Sequence, residues 1–324
     1  MAAGRAAHWL AGLALTVLCA AALAQGYPAR PVRIVVPVPP GGSSDILARL
    51  VGARMTEAWG QPVVVENRPG ANGNIGAELV ARAAPDGYTL MMTDAGNLAI
   101  SASLYALPFD VIGDFAPVTI VSYSPHVLCV HPSVPVKGAK ELIALARARP
   151  GALNYATALG SAPHLAGLML AHRTGIRWEY IPTKGGAESM RLVATGESDV
   201  LFGGLLAVLP HRASGRLKAL AVSSEKRVPA APDLPTLIEA AGLPGFETGT
   251  RQGLFAPARV LPEIISRLNA EIARVLKLPD IAGRLAASGA YAVGNSAQDM
   301  SRQFAAEKER WARLIRETGF RLPN

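Results

Sequence analysis

An α/β fold of two lobes, each with a parallel-rich sheet flanked by helices, is what this sequence predicts. Short apolar runs rich in valine and isoleucine alternate with helical patterns from residue 32 to residue 222, as parallel sheets require. The tail beyond residue 262 reads as helices with only short extended pieces, and such helices need a sheet to lie on. The chain left after removal of an export-like leader, about 300 residues, is enough for one large or two medium domains.

The leader comes first. Arg5 supplies a positive start, residues 9–23 are almost wholly apolar, and Ala22-Leu23-Ala24 forms a small-x-small cleavage pattern. The apolar run is short for a membrane span of roughly 20 residues. Leu18 stands before Cys19, where lipid attachment wants a small residue. Residues 1–24 are therefore expected to be a signal peptide, cut after Ala24, that exports a soluble body to the periplasm.

Strands are expected at 32–38, 63–66, 89–93, 127–131, 154–156, 178–181, 200–202 and 217–222. Helices are expected near 45–59, 74–83, 138–149, 163–174, 186–195 and 205–213, then at 262–276, 279–288 and 297–318. In the first of them, Ile46, Leu47, Leu50, Val51, Met55 and Trp59 are read as one buried face. A middle segment forming the second lobe, with the chain returning near 246–255, places the last helices on the first lobe. The expected division is 25–124 plus 248–324 for lobe 1 and 125–247 for lobe 2, joined by two crossings around a hinged cleft.

Formal charge is +8 and falls to +7 once Arg5 leaves with the leader. Lysines and arginines are scattered, with no basic run and no interleaved aromatics, so nucleic acid is not an expected partner and small anions fit better. Loss of Cys19 leaves Cys129 as the only cysteine of the mature chain, so no internal disulfide is expected. Cys129 lies in an apolar strand pattern, where a buried inert thiol is the expected reading. No Gly-x-Ser-x-Gly elbow, phosphate-binding loop or His-Glu-x-x-His motif occurs, and the glycines of residues 70–76 lack dinucleotide spacing. Neither an enzyme nor a cofactor or metal is expected.

Four loops carry the candidate binding residues, each between a strand and a helix, where open sheets of this class hold their ligands. Gly41-Gly42-Ser43-Ser44-Asp45 comes first. Its glycines let backbone approach a ligand, and a helix start carries unpaired N–H groups and partial positive charge. A cap by Ser44 or Asp45 would serve the same sequence. Thr93-Asp94-Ala95-Gly96-Asn97 follows the third strand. Ala158-Leu159-Gly160-Ser161-Ala162 leads into a helix starting at Pro163 or His164, with Ser161 as a plausible cap. Thr183-Lys184-Gly185-Gly186 is the fourth, and Lys184 could pair with a bound carboxylate.

A longer series of motifs points further. Tyr27-Pro28, Arg33 to Pro37, Pro40 to Asp45, Val65 to Gly76, Ala84 to Leu90 and Asp114 to Val118 resemble the Bug, or TctC-like, receptors. The likeness continues through Leu217 to Val222, Leu234-Pro235-Thr236 and Gly242 to Glu247, and so spans essentially the whole mature chain. These receptors are periplasmic solute-binding proteins of tripartite tricarboxylate transporters. The resemblance implies a type II-like Venus flytrap, a periplasmic-binding-protein fold that closes on a small organic carboxylate and presents it to a TctA/TctB-like membrane permease. It implies ligand contacts at Gly41, Gly42, Ser43, Ser44 and Asp45; at Thr93, Asp94 and Asn97; at Gly160, Ser161, Ala162 and His164; and at Thr183, Lys184 and Gly185. Two departures concern the distal pocket. Thr183 stands where such receptors commonly carry tyrosine, and Gly203-Gly204 replaces a usual polar pair, so Gly203 joins the candidates. Loss of an acidic residue there disfavours an amino-acid ligand, and loss of the tyrosine ring leaves room for a larger tail. A receptor that opens and closes is most simply a monomer. A periplasmic sensor that passes the carboxylate signal to a sensor kinase is the alternative use of the same pocket.

Overall fold

The computed structural model describes residues 26–322 apart from residue 288. The leader and its cleavage after Ala24 lie outside the described residues. The chain begins with β1 (Val32–Val36), α1 (Ser43–Trp59), β2 (Val63–Asn67), α2 (Asn74–Ala81), β3 (Thr89–Asp94) and α3 (Ala95–Leu104). β4 (Phe115–Val130) leads to α4 (Ala139–Ala148), β5 (Asn154–Thr157), α5 (Ala162–Thr174), β6 (Glu179–Pro182), α6 (Gly186–Ala194), β7 (Val200–Gly204), α7 (Leu205–Ala213), β8 (Lys218–Val222) and α8 (Leu237–Ala241). β9 (Gly249–Pro257) returns the chain to α9 (Pro262–Leu276), α10 (Pro279–Ala287), β10 (Tyr291–Ala292) and α11 (Ala297–Thr318).

The strands run in the order β2-β1-β3-β9-β4-β7-β5-β6, with β8 and β10 also paired to β4. β4 ties the two lobes together. Over Phe115 to Pro125 it bonds antiparallel to β9, and over His126 to Val130 it bonds to β7, with β8 on its other side from Val127. Valines and isoleucines of β1 alternate between two cores because side chains alternate across a strand. Val32, Ile34 and Val36 pack with α1 and α9, whereas Val35 packs with α3 and α11. The second lobe repeats the arrangement, with Tyr155 and Phe202 in one core and Ala156 and Leu201 in the other. Cys129 is fully buried there as a free thiol, and burial pushes its pKa well up. Among the described residues no helix is long and apolar enough to cross a membrane.

Strand directions place the loops. β3 runs antiparallel to β9, and β9 antiparallel to β4, so β1 and β3 run with β4 toward the crossing. β7 runs against β4 and ends with Gly204 opposite His126, and β5 and β6 run with β7. The carboxyl ends of both parallel groups therefore face each other across the crossing, which is where open α/β sheets bind ligands.

Three readings differ from the sequence pattern. The 16-residue β4 was expected only from residue 127, because Pro117 and Pro125 break the strand signal. Pro117 sits beside a register shift, and Pro125 is the last β4 residue paired with β9, so neither disrupts a regular ladder. α1 starts at Ser43 rather than near residue 45, which puts Ser43, Ser44 and Asp45 in its first turn. Ile46 is 53 % exposed, opposite the arc formed by Leu47, Val51 and Met55, because the 3.6-residue period carries it to the outer face.

Candidate functional site

The start of α1 is held open. Its N-cap is Gly42, and no side chain caps the helix, so the alternative reading, a cap by Ser44 or Asp45, is not what forms. Asp45 is buried and turned away from that role. Its carboxylate accepts from Gly41 N–H at 2.9 Å, Arg49 Nε at 3.0 Å and Asn67 Nδ2 at 3.0 Å. Burial opposes its charge, but these three donors outweigh burial and hold the carboxyl below its ordinary pKa. Asp45 thus fixes the loop through all three bonds. Ser44 Oγ donates to Gln252 Oε1 on β9 at 2.6 Å. The first-turn N–H groups of α1 are the orphan donors that every helix start leaves.

The loop after β3 is half closed. Thr93 is buried, and Asp94 caps α3 by accepting from Gly96 N–H at 2.9 Å and from Arg251 N–H at 3.3 Å. Burial and then the neighbouring Glu307 carboxylate push the Asp94 pKa up to about 7, against the pull of the two N–H donors and the Arg251 charge. Arg251 in turn pairs with Glu247 and, at 3.5 Å, with Glu307, and its guanidinium lies over the Tyr123 ring. These charges tie the loop after β3 to the second crossing and to α11. His126, on β4 at the crossing, is fully buried between Thr248 and Thr250 hydroxyls, and burial lowers its pKa to about 3, so it is neutral.

The start of α5 is closed by its own neighbours. Ser161 caps it, accepting from His164 N–H, and donates to Ala158 O at 2.7 Å. Ala162 N–H donates to Asn97 Oδ1 at 2.9 Å, which bridges this loop to the loop after β3. Gly160 N–H donates to His164 Nδ1 at 3.3 Å. Pro163 has no N–H to offer. His164 packs at the start of α5: its ring is buried between Tyr180 and Phe320, and burial lowers its pKa to about 4. The N–H groups of Gly160, Ala162 and His164 are thus given to side chains of His164, Asn97 and Ser161, from both lobes.

The last two loops lie after β6 and β7. Thr183 N–H donates to Thr157 O, and its hydroxyl pairs with Ser189 Oγ at 2.8 Å. Gly185 is the uncapped N-cap of α6, and Lys184 is exposed. Gly203 faces the wrong way to offer a side-chain position: a Cβ there would come within 2.9 Å of Leu201, Met190 and Val208 in the core. Gly204 is the N-cap of α7, with open space where its Cβ would be. Gly204 and Gln252 stand at the facing loops, and neither is among the candidates read from the sequence. The Gly-Gly pair was visible, but only strand parity decides which glycine faces out, and a lone glutamine inside a strand carries no signal.

A cavity of about 390 Å³ lies elsewhere, lined by Pro150, Leu168, Ile176, Trp178 and Tyr180. It is at the amino end of β6, opposite the facing loops, so it is not the candidate site. Among the described residues no group of histidine, cysteine or acidic side chains is placed to hold a metal ion.

The TctC profile, the tripartite tricarboxylate transporter family receptor, matches residues 47–320. The chain belongs to this family. Protein BugT of Bordetella pertussis is 38% identical over 314 residues, which is 96% of each chain. The structure of Rpa4515 of R. palustris with adipate superposes with a TM-score of 0.83 at 38% identity, covering 90% of this chain and 98% of that one. MatC of Rhodopseudomonas palustris with bound malate gives 0.80 at 32% identity, covering 89% and 100%. The fold is that of the periplasmic binding proteins, two-lobed and α/β, as the resemblance implied. The family and these relatives are binding proteins.

Proposed function

We propose that the protein is a periplasmic receptor for a small organic dicarboxylate, which it delivers to a TctA/TctB-like permease. The observation that carries this reading is the uncapped start of α1, aimed from lobe 1 at the facing loops of lobe 2. One ligand carboxylate sits on the first-turn N–H groups at Gly42, Ser43 and Ser44, where helix dipole and orphan donors both favour an anion. The remainder lies along the Asn97–Ala162 bridge, with the α6 and α7 starts at Gly185 and Gly204 and the Lys184 ammonium at the far end. Adipate and malate in the two relatives support the ligand class. Asp45 and His164 hold their loops in place. The lobes are 25–124 plus 248–324 and 125–247, the leader is cut after Ala24, and the receptor acts as a monomer that binds without turnover.

Native mass spectrometry of the mature protein as purified, followed by calorimetric titration with adipate and malate, tests this. A stoichiometric small carboxylate, or micromolar binding of either acid, is the expected result. An empty protein silent to both acids would overturn the dicarboxylate reading.

A further inference from the structure

Gln252 is only 4 % exposed, yet it is a primary amide in the middle of a sheet. It pairs with Asp94 on β3 and Ser122 on β4, at the level where β3 ends. Alternation along β9 puts it on the same face as Leu254, which packs in the core beneath α1. The apolar column under that helix therefore ends in a carboxamide. Its oxygen is taken by Ser44 Oγ at 2.6 Å, a contact between residues 208 apart in the chain. Its Nε2 has no acceptor among the described residues and is not among the atoms sealed from solvent. Buried amides rarely leave two N–H donors unused. Ser44 belongs to the first turn of α1, so the spare donors lie beside the uncapped backbone N–H groups.

We propose that Gln252 Nε2 donates to the ligand carboxylate seated at the start of α1, with Ser44 orienting the amide by holding its oxygen. This rests on the receptor reading above and adds a side-chain donor to a seat otherwise made of backbone. A carboxylate has two oxygens, and one seat offers helix N–H groups to the first and the Gln252 amide to the second.

Adipate and malate titrations of the mature wild type, Gln252→Glu, Gln252→Met and Ser44→Ala test it. Gln252→Glu keeps an acceptor for Ser44 Oγ and nearly the same shape, but replaces the donor with an anion. Its affinity for both acids at pH 8 is expected to fall by about 100-fold, with the ratio to wild type shrinking toward pH 5 as the new carboxyl takes up a proton. Gln252→Met is expected to lose about 10-fold at every pH, and Ser44→Ala about 3-fold, because the amide remains but can rotate. Unchanged adipate and malate affinity in Gln252→Glu, or in Gln252→Met should the first variant fail to fold, would overturn the role of Gln252 while wild-type binding stood. A wild type silent to both acids would overturn the seat together with the receptor reading.

Discussion

The helices that start at Ser43 and Ala162 come from similar glycine- and serine-containing loops and end in opposite states. α1 begins behind Gly42 with no side-chain cap, and its nearest carboxylate, Asp45, is drawn away by Arg49 and Asn67. α5 begins behind Ser161, with Ala162 N–H given to Asn97 and Gly160 N–H given to His164. A loop rich in potential donors is thus a binding site only where its neighbours leave those donors unused. In the proposed receptor α1 is the anion seat, and α5 is a wall whose start is joined to the first lobe through the Asn97 side chain.

An acidic residue placed at each start breaks or sharpens that contrast most strongly. Ser43→Asp is expected to reduce adipate affinity by about 100-fold, because it fills the seat with like charge, while leaving the helix at least as stable. Ser161→Asp keeps a capping oxygen and is expected to change affinity by no more than about 3-fold. Calorimetry on the two variants side by side decides the matter; equal losses would mean that α5 is a seat as well.

The third start, α3, is capped by a carboxyl whose pKa is raised to about 7. A raised folded-state pKa contributes stability that is complete below the unfolded carboxyl value near 3.8 and is lost as pH rises through about 7. Asp94→Asn keeps the cap and removes the charge. It is expected to raise Tm above wild type at pH 8, with the difference vanishing near pH 4, in thermal scans of both proteins. A Tm difference independent of pH would show that Asp94 does not titrate in this window.

Ser161→Ala should separate folding from binding. Loss of the cap is expected to lower stability by about 1 kcal/mol in denaturant unfolding, with adipate affinity nearly unchanged. The smallest effect is expected at Lys184, an exposed cation. Lys184→Gln should weaken a dicarboxylate by about 3-fold and a monocarboxylate of equal length hardly at all, and should lose this effect in high salt.

Much of the fold was legible because periodicity is a local property. The apolar runs at Val32–Val36 and Val200–Gly204 lie in the sheet, and the amphipathic tail at Ala297–Thr318 packs on the first lobe. β4 was legible only in part, since Pro117 and Pro125 mark a break locally while bulge and crossing absorb them. Of the candidate site, the loops were found by their place between strand and helix. Which loop is open was not legible, because the acceptors come from distant residues: Asn97 for Ala162, and Arg49 and Asn67 for the acid that could have capped α1.

The sequence by itself determined the alternation of strands and helices, the family, and the set of loops that could face a ligand, since each depends on residues near one another in the chain. Tertiary structure decided that Ile46 lies outside, that Gly203 faces the core while Gly204 faces open space, and that Gln252 meets Ser44. The physical reason is the same in each case. Helix phase, strand parity and hydrogen-bond partners are set by how elements pack, and a donor becomes available to a ligand only after the whole fold has distributed its acceptors.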